Sequence, residues 1–396
     1  MKIGKEIYTG KVRNIIAGLD IGTSKIGVVI GEIVDGGNIR VLGVGISPSE
    51  GLRQGVVINL DLAVHSIERA VQEAQLTAGV EIEEVIVGIA GDHIRSVNSR
   101  GVVAVSGTDH EITQTDVDRV IDAAKAIALP IDREVLHVLP QEFIVDNQPG
   151  IKNPVGISGV RLEAEVHIVT GAVTSAQNIV RSVKKANLKV AGLVLEPLAS
   201  SYAVLDKNEK DLGVALVDLG GGTTDLAMFY DGSIRHTAVI GLGGQNVTND
   251  IALGLRTPIE QAEEIKKKYG SAHKNLVSKN EVFQVPGIGG RPPREVSRTL
   301  LTSIIQPRME EIFSLVSKEI KRSDFGDLLG AGVVLTGGGA LLEGSVVLAE
   351  EIFGLPAKIG VPQGFTGLVE SASSPIFATG VGLIFYGLKN KGKEWK

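Results

Sequence analysis

Short apolar runs rich in β-branched residues recur along this chain, separated by turns that carry glycine. Residues 15–19, 26–33 and 40–46 are apolar over strand lengths, which predicts three strands in succession. From about residue 62 to 78 the apolar period lengthens, and Val64, Ile67, Val71 and Ala74 fall on one face of a predicted helix. The same order returns in the second half. Strands are predicted over 214–217, 226–230 and 233–240, then a helix over 245–255 introduced by Gly243 and Gly244. A long helix over 297–320, a strand over 333–336 and the run Gly337-Gly338-Gly339 close that half. Two such successions of strands and helix predict a duplicated α/β domain, and therefore two lobes.

One stretch breaks the symmetry. Strands over 85–89, 101–105, 134–145 and 164–170, with a helix over 115–128 capped by Thr113 or Thr115, have no counterpart in the second half. The stretch reads as an inserted small α+β unit, taken as 85–164; the alternative is more of the first lobe. On that division the first lobe is 1–84, 165–210 and 373–396. The second is 211–245 and 323–372, with 246–322 as its outer part.

At 396 residues the chain exceeds one ordinary core, in keeping with two large lobes. Forty basic residues against 46 acidic give a net charge of −6, which argues against a nucleic-acid partner. With no cysteine, disulfides, thiolate metal sites and cysteine nucleophiles are excluded, and a reducing compartment is expected. Residues 1–13 are mixed and charged rather than signal-like, and no window approaches the roughly 20 apolar residues of a membrane span. A soluble cytoplasmic protein is the expectation.

Two of the glycine turns share one design. Asp20-Ile21-Gly22-Thr23-Ser24-Lys25 and Asp218-Leu219-Gly220-Gly221-Gly222-Thr223-Thr224-Asp225 each join two predicted strands as the bend of a β-hairpin. Glycines let backbone N–H groups converge on one spot and the hydroxyls add donors, which suits a chain of phosphate oxygens. Two such bends facing each other would clamp a nucleoside triphosphate between the lobes. Other chemistry finds no support. The seven histidines include no H-x-x-x-H pair, His137 and His167 lie in apolar strand-like runs that suit packed core histidines, and no G-x-S-x-G elbow is present.

The three glycine turns, with Glu196-Pro197-Leu198-Ala199-Ser200-Ser201 and Ala378-Thr379-Gly380-Val381-Gly382, resemble the five nucleotide-site motifs of the actin-like ATPase superfamily, in order along the chain. Within it, the inserted unit and the stretch Val285-Pro286-Gly287-Ile288-Gly289-Gly290-Arg291-Pro292-Pro293-Arg294 resemble the FtsA family of bacterial cell-division proteins. The resemblance covers nearly the whole chain. It implies an actin-like two-lobed α/β fold of duplicated ribonuclease-H-like domains, with ATP and Mg²⁺ as cofactors. Asp20 would hold waters of the metal, while Gly22, Thr23, Ser24 and Lys25 contact the β and γ phosphates. Asp218, Gly220, Gly221, Gly222 and Thr223 would do the same from the second lobe. Gly337, Gly338 and Gly339 would lie under the ribose and α phosphate at a helix N-terminus, and Glu263 and Lys266 would bracket the adenosine. From the residues alone, Glu263 and Lys266 serve equally as an ion pair on a solvated helix face. Glu196 matches an acidic residue that orients the attacking water, and equally a carboxylate stabilised at a helix N-terminus before Pro197. The implied activity is at most a slow ATPase whose nucleotide controls shape and assembly.

The resemblance also implies partners. These are further copies of the chain, joined into filaments through the inserted unit, and the C-terminal tail of the tubulin-like FtsZ. The tail would dock on the second lobe's outer part, where Arg308 and Glu311 begin the long helix after Pro307. Attachment to the inner face of the cell membrane, at the division site, runs in the family through a C-terminal amphipathic helix, and this sequence stops before one. The tail with Trp395 reads as a solvated terminus. Two other readings stay open: a pilus-assembly adaptor like PilM, and a sugar-kinase-like phosphotransferase sharing the same clamp.

Overall fold

The computed structural model of the protein describes residues 14–34, 36–107, 109–286 and 292–390. The first lobe opens with β1 (Ile15–Ile21), β2 (Lys25–Val34) and β3 (Asn38–Pro48), a small hairpin β4 (Leu52–Arg53) and β5 (Val56–Val57), then α1 (Leu60–Ala78) and β6 (Glu84–Ile89). An inserted module follows as β7 (Arg95–Ala104), α2 (Gln114–Lys125), β8 (Arg133–Val145), β9 (Gln148–Ile151) and β10 (Arg161–Ala172). Then α3 (Val173–Lys185), β11 (Lys189–Leu195), α4 (Glu196–Val204) and α5 (Lys207–Leu212) lead across to the second lobe. There the chain runs β12 (Val214–Leu219), β13 (Thr224–Tyr230), β14 (Ser233–Ile240), α6 (Gly244–Leu255), α7 (Ile259–Tyr269), β15 (Val282–Val285), β16 (Arg294–Ser297), α8 (Arg298–Arg322), β17 (Val333–Thr336), α9 (Ser345–Phe353) and β18 (Ala357–Ile359). It ends with β19 (Phe365–Gly367), α10 (Val369–Ala372) and α11 (Ala378–Lys389).

Among the described residues the first lobe holds a six-stranded sheet, β11-β6-β1-β2-β3-β19, and the second a five-stranded sheet, β14-β13-β12-β17-β18. In each, two antiparallel hairpins are followed by strands that join parallel across helices, so the duplication read from the sequence is present in the topology. α1 forms as the period predicts. Asn59 caps it by accepting the Leu62 N–H, Gly79 ends it at φ 64°, and it buries Ala63, Ile67, Ala70, Val71 and Ala74 against the sheet, Val64 being half-buried. α4 and α11 pack on each other, α11 against β1 and β2, and α4 against β12 and β13. Gly382 makes that seam possible, because a Cβ there would fall on the Ala199 carbonyl.

Four boundaries differ from the sequence reading. The strand at 85–89 belongs to the first lobe's sheet, paired parallel to both β1 and β11, so the module's own sheet, β7-β10-β8-β9, begins with β7. Its last strand, β10, runs through residue 165 rather than starting there. The return to the first lobe comes at β19, which pairs parallel with β3, and not at residue 373. Arg308 and Glu311 lie in mid-helix. α8 continues through Pro307 because Leu301, Ile305, Met309, Ile312 and Phe313 on both sides of it are buried in one core, which outweighs the roughly 3 kcal/mol a helix-interior proline costs. Gly289, Gly290, Arg291 and the tail with Trp395 lie outside the described residues.

Candidate functional site: the cleft between the lobes

Asp20 is the last residue but one of β1 and Lys25 begins β2, so the first glycine turn is a hairpin bend, closed by the Gly22 N–H donating to the Lys25 carbonyl at 3.1 Å. Asp218 and Asp225 sit opposite each other where β12 meets β13, which makes the second turn the counterpart of the first. The two bends face one another. A Cβ on Gly221 would fall on Ser24 Oγ, and one on Gly222 would come within 2.6 Å of Thr23 Oγ1. The Gly244 and Gln245 N–H groups, at the start of α6, donate to the Gly220 and Gly221 carbonyls at 2.9 and 2.8 Å, which fixes the second bend from behind.

Beside this contact a cavity of about 870 Å³ opens between the lobes, within the usual range for a small-molecule site. One end is ionic. Lys25 Nζ pairs with Asp20 Oδ2 at 2.7 Å, and Glu196, Asp218 and Asp225 line the same wall. Burial disfavours the Lys25 ammonium, but Asp20 outweighs it and raises the pKa. Asp218 is held by Ser200 of α4, whose hydroxyl donates to Asp218 Oδ2 at 3.0 Å and also meets Thr379 of α11 at 3.1 Å. Asp225 Oδ2 accepts from Thr223 Oγ1 at 2.9 Å, whereas Asp225 Oδ1 is buried with no hydrogen-bond partner. Burial, and then neighbouring carboxylates, push Glu196 well above the ordinary carboxylate range. The same causes push Asp225 up to about 7; burial also raises Asp218 to about 6, although the Ser200 hydroxyl pulls it back.

The third turn forms the floor. Gly337 has φ 78°, and a Cβ there would strike Asp218, so only glycine fits. At Gly338 a Cβ would meet nothing within 4 Å, because the residue faces the open cavity. The turn leads into a 3₁₀ turn, Gly338–Leu341, and α9 starts only at Ser345; the helix N-terminus expected directly after the glycines lies six residues past Gly339. Gly339 packs on Leu219. At the other end, Glu263 and Lys266 of α7 pair at 2.7 Å, and Lys266 Nζ also donates to the Gly244 carbonyl and to Thr248 Oγ1 at 3.0 and 2.8 Å. Both line the cavity, with Met309, Leu341 and Leu342 as apolar neighbours.

Most residues expected at the site therefore converge: Asp20, Gly22, Thr23, Ser24, Lys25, Glu196, Asp218, Gly220, Gly221, Gly222, Thr223, Glu263, Lys266, Gly337, Gly338 and Gly339 all line one cavity. Arg308 and Glu311 do not join them. Arg308 Nε and Nη2 grip the two carboxylate oxygens of Asp250 on α6 at 2.7 and 3.2 Å, and Nη1 bonds Glu311, so this arginine already joins two helices of its own chain. Ser200, Thr379, Thr248 and Asp225 went unassigned in the sequence reading. All lie in or near the motif segments; the contact between Ser200 and Thr379 spans 179 residues of chain, which no local pattern announces. His137 and His167 are packed side chains, as expected. Burial lowers them to about 4 and about 3, with His236 adding to the second.

A two-lobed α/β body with paired phosphate-type turns facing across a cleft defines the actin-like ATPase fold. Solved structures agree. The chain is 17% identical to a protein of the PilM-PilN type IV pilus biogenesis complex, with a TM-score of 0.68 over 94% of this chain and 98% of that one. It is 16% identical to MreB5 of Spiroplasma citri bound to ADP, with a TM-score of 0.57 over 95% and 98%. Sequence relatives are closer. Cell division protein FtsA of Pseudomonas aeruginosa is 51% identical over 97% of this chain and 91% of its own length, that of Escherichia coli K12 42% over 95% and 90%, and that of Bacillus subtilis 40% over 94% and 83%. The family profile for cell division protein FtsA matches residues 215–382, and that for the SHS2 domain inserted in FTSA matches 91–170. The chain belongs to the FtsA family of cell division proteins. The inserted domain begins by this match at 91, after β6, as the sheet pairing requires.

The raised carboxyls make a pH prediction. A carboxyl whose folded pKa exceeds its unfolded value binds more protons folded than unfolded, so its contribution to stability fades as pH rises through the folded pKa. The buried histidines, lowered below their ordinary value, act oppositely and lose stability as pH falls. Asp225→Asn isolates the first effect. Its melting temperature relative to the unsubstituted protein is expected to rise as pH climbs through about 7, in ligand-free thermal melts. A difference independent of pH would contradict the assignment.

Proposed function

We propose that this cell division protein binds ATP with Mg²⁺ in the cleft, polymerises in response, and links the FtsZ ring to the inner face of the cell membrane, where later division proteins are recruited. The observation that carries the reading is the open wall at Gly338, flanked by two facing hydroxyl-bearing glycine turns. The charge balance fits as well. At the ionic end Asp20, Glu196, Asp218 and Asp225 stand beside Lys25 alone, and a divalent cation arriving with a polyphosphate would favour the ionised form of these carboxyls and offset their charge. The described residues hold no cluster of three or more carboxylates and histidines suited to a metal, which fits an ion bound chiefly by phosphates, with Asp20 reaching it through water. Thr23, Ser24, Lys25 and the glycines of the second turn would hold the phosphates, the third turn the ribose, and Glu263 and Lys266 the adenosine. When bound, the metal ion would neutralise charge on the phosphates. Glu196, a buried carboxyl with raised proton affinity at the ionic end, is suited to accept a proton from an attacking water. Hydrolysis in this reading is slow and serves assembly.

Filaments would grow by a head-to-tail contact that does not close, with the inserted module in it. The FtsZ tail, short and partly acidic, would meet the second lobe's outer part, where Leu253 of α6 and Leu300 of α8 are 78% and 50% exposed on the helices that Arg308 joins.

Two experiments test these parts separately. Gly338→Asp places a charged side chain in open cavity space without a backbone clash, and is expected to abolish fluorescent-ATP binding while the circular dichroism spectrum stays unchanged. Binding at the original affinity would remove the cleft from the mechanism. For the partner, calorimetry with an FtsZ tail peptide is expected to show weaker binding to Arg308→Glu and tighter binding to Glu311→Lys, with ATP affinity the same in both. Because Arg308→Glu also breaks the pair with Asp250, the opposite sign at Glu311 is what separates a charged contact surface from a loosened helix pair.

A further inference from the structure

One buried side chain of the inserted module reaches the turn that carries Glu196. Leu195 ends β11 and stands at the N-cap of α4, yet its side chain cannot cap a helix, and no side-chain cap hydrogen bond is made there. Three residues on, Leu198 cannot reach back to the Leu195 N–H as a capping-box residue would. β11 is also the outer strand of its sheet, so no further strand takes that N–H. The acceptor comes from β8 of the module instead. The Leu195 N–H donates to His137 Nε2 at 2.9 Å.

The imidazole is well fixed for this role. It is buried and stands edge-on to the Tyr386 ring of α11 at 71° between planes. Accepting at Nε2 requires a neutral ring with its proton on Nδ1, and burial, by lowering the pKa to about 4, keeps the ring neutral at physiological pH. Glu196, the next residue, is constrained from a second side. Its side chain lies over Gly88 of β6, where a Cβ would come within 3.0 Å of Glu196 Cγ.

We propose that His137 is a positioning residue for nucleotide hydrolysis. Through the Leu195 amide it sets the first turn of α4 and the aim of the Glu196 carboxylate, so that the seating of the inserted module governs turnover and not nucleotide affinity. The inference rests on the hydrolytic reading of Glu196 given above. It adds a physical route from the module to the cleft, since any displacement of β8 against β11 acts directly on the bond to Leu195.

The test uses the full chain, Mg²⁺-ATP, single-turnover phosphate release and, separately, fluorescent-ATP affinity. His137→Gln places an amide oxygen near the position of Nε2 and is expected to keep the rate. His137→Leu removes the acceptor and is expected to slow turnover about tenfold or more at unchanged affinity, the scale on which a misplaced catalytic group costs rate. If the leucine variant does not fold, as judged by lost ATP binding, His137→Asn, whose amide falls short of Leu195, is expected to show the same split. Removal variants that turn over at the original rate overturn the inference, and so does a glutamine variant as slow as they are. Glu196→Gln distinguishes the two levels. If it is inactive while His137→Leu is normal, the hydrolytic reading survives and the role of His137 falls. If Glu196→Gln is normal, or if the unsubstituted protein binds ATP without turnover, both fall and nucleotide binding alone remains.

Discussion

The Asp218 carboxylate is the point on which the two halves of this protein depend. It lies one residue before the end of β12, receives the Ser200 hydroxyl from α4, and through Ser200 is tied to Thr379 of α11, while the third glycine turn passes so close that residue 337 has no room for a side chain. A buried carboxylate is costly unless hydrogen-bonded. Here the Ser200 hydroxyl that satisfies it also ties the end of β12 to α4 and, through Thr379, to α11. The glycine at 337 follows from this constraint, as does the hydroxyl at 200.

The cleft could be read from the sequence because each of its turns is local. A hairpin bend with glycine and hydroxyl residues takes the same form wherever it occurs, and Gly22 and Gly221 stand at two such bends. Partners across the fold were not legible. Nothing in the run Val85–Ile89 states which sheet it joins, since a buried strand has the same apolar pattern in either; pairing with β1 settles it. β19 is three residues long, too short for any period to show, yet it marks the return of the chain to the first lobe. The long helix over 297–320 is present as α8 and runs through Pro307, so only the placing of Arg308 and Glu311 at a helix start fails. Arg308 looked available to a partner because its carboxylate, Asp250, is 58 residues away along the chain.

The inserted module is held in a way that differs from the rest of the core. It has its own apolar cluster, around Val120, Phe143, Leu162 and Ile168. Toward the second lobe its hydrogen bonds fall chiefly on β14, the outer strand of that sheet. Ser96 Oγ, Asn98 Nδ2 and Gln141 Nε2 donate to the Thr237, Arg235 and Ile234 carbonyls at 3.0, 3.2 and 2.8 Å, and His167 bridges Asn98 and Thr237. Side chains thus supply what another strand would otherwise supply, and the exposed edge is closed against pairing with a foreign strand.

That arrangement gives the module two anchors of unlike character, one on each lobe. On the first lobe the module is joined by the chain itself, from β6 into β7 and from β10 into α3, by the Val173 N–H donating to the Asp132 carbonyl at 3.0 Å, and by the buried bond from Leu195 to His137. On the second, the seam along β14 is a row of directional bonds to backbone carbonyls. Apolar packing tolerates small sliding with little change in area, but a hydrogen bond weakens steeply with angle and distance. Because the module is continuous with the first lobe, a relative movement of the lobes bears on the seam along β14, whose bonds are all non-covalent. The module is in this sense seated by the cleft as well as beside it, which is the physical requirement for a nucleotide to influence a surface that lies on neither of the two lobes that would hold it.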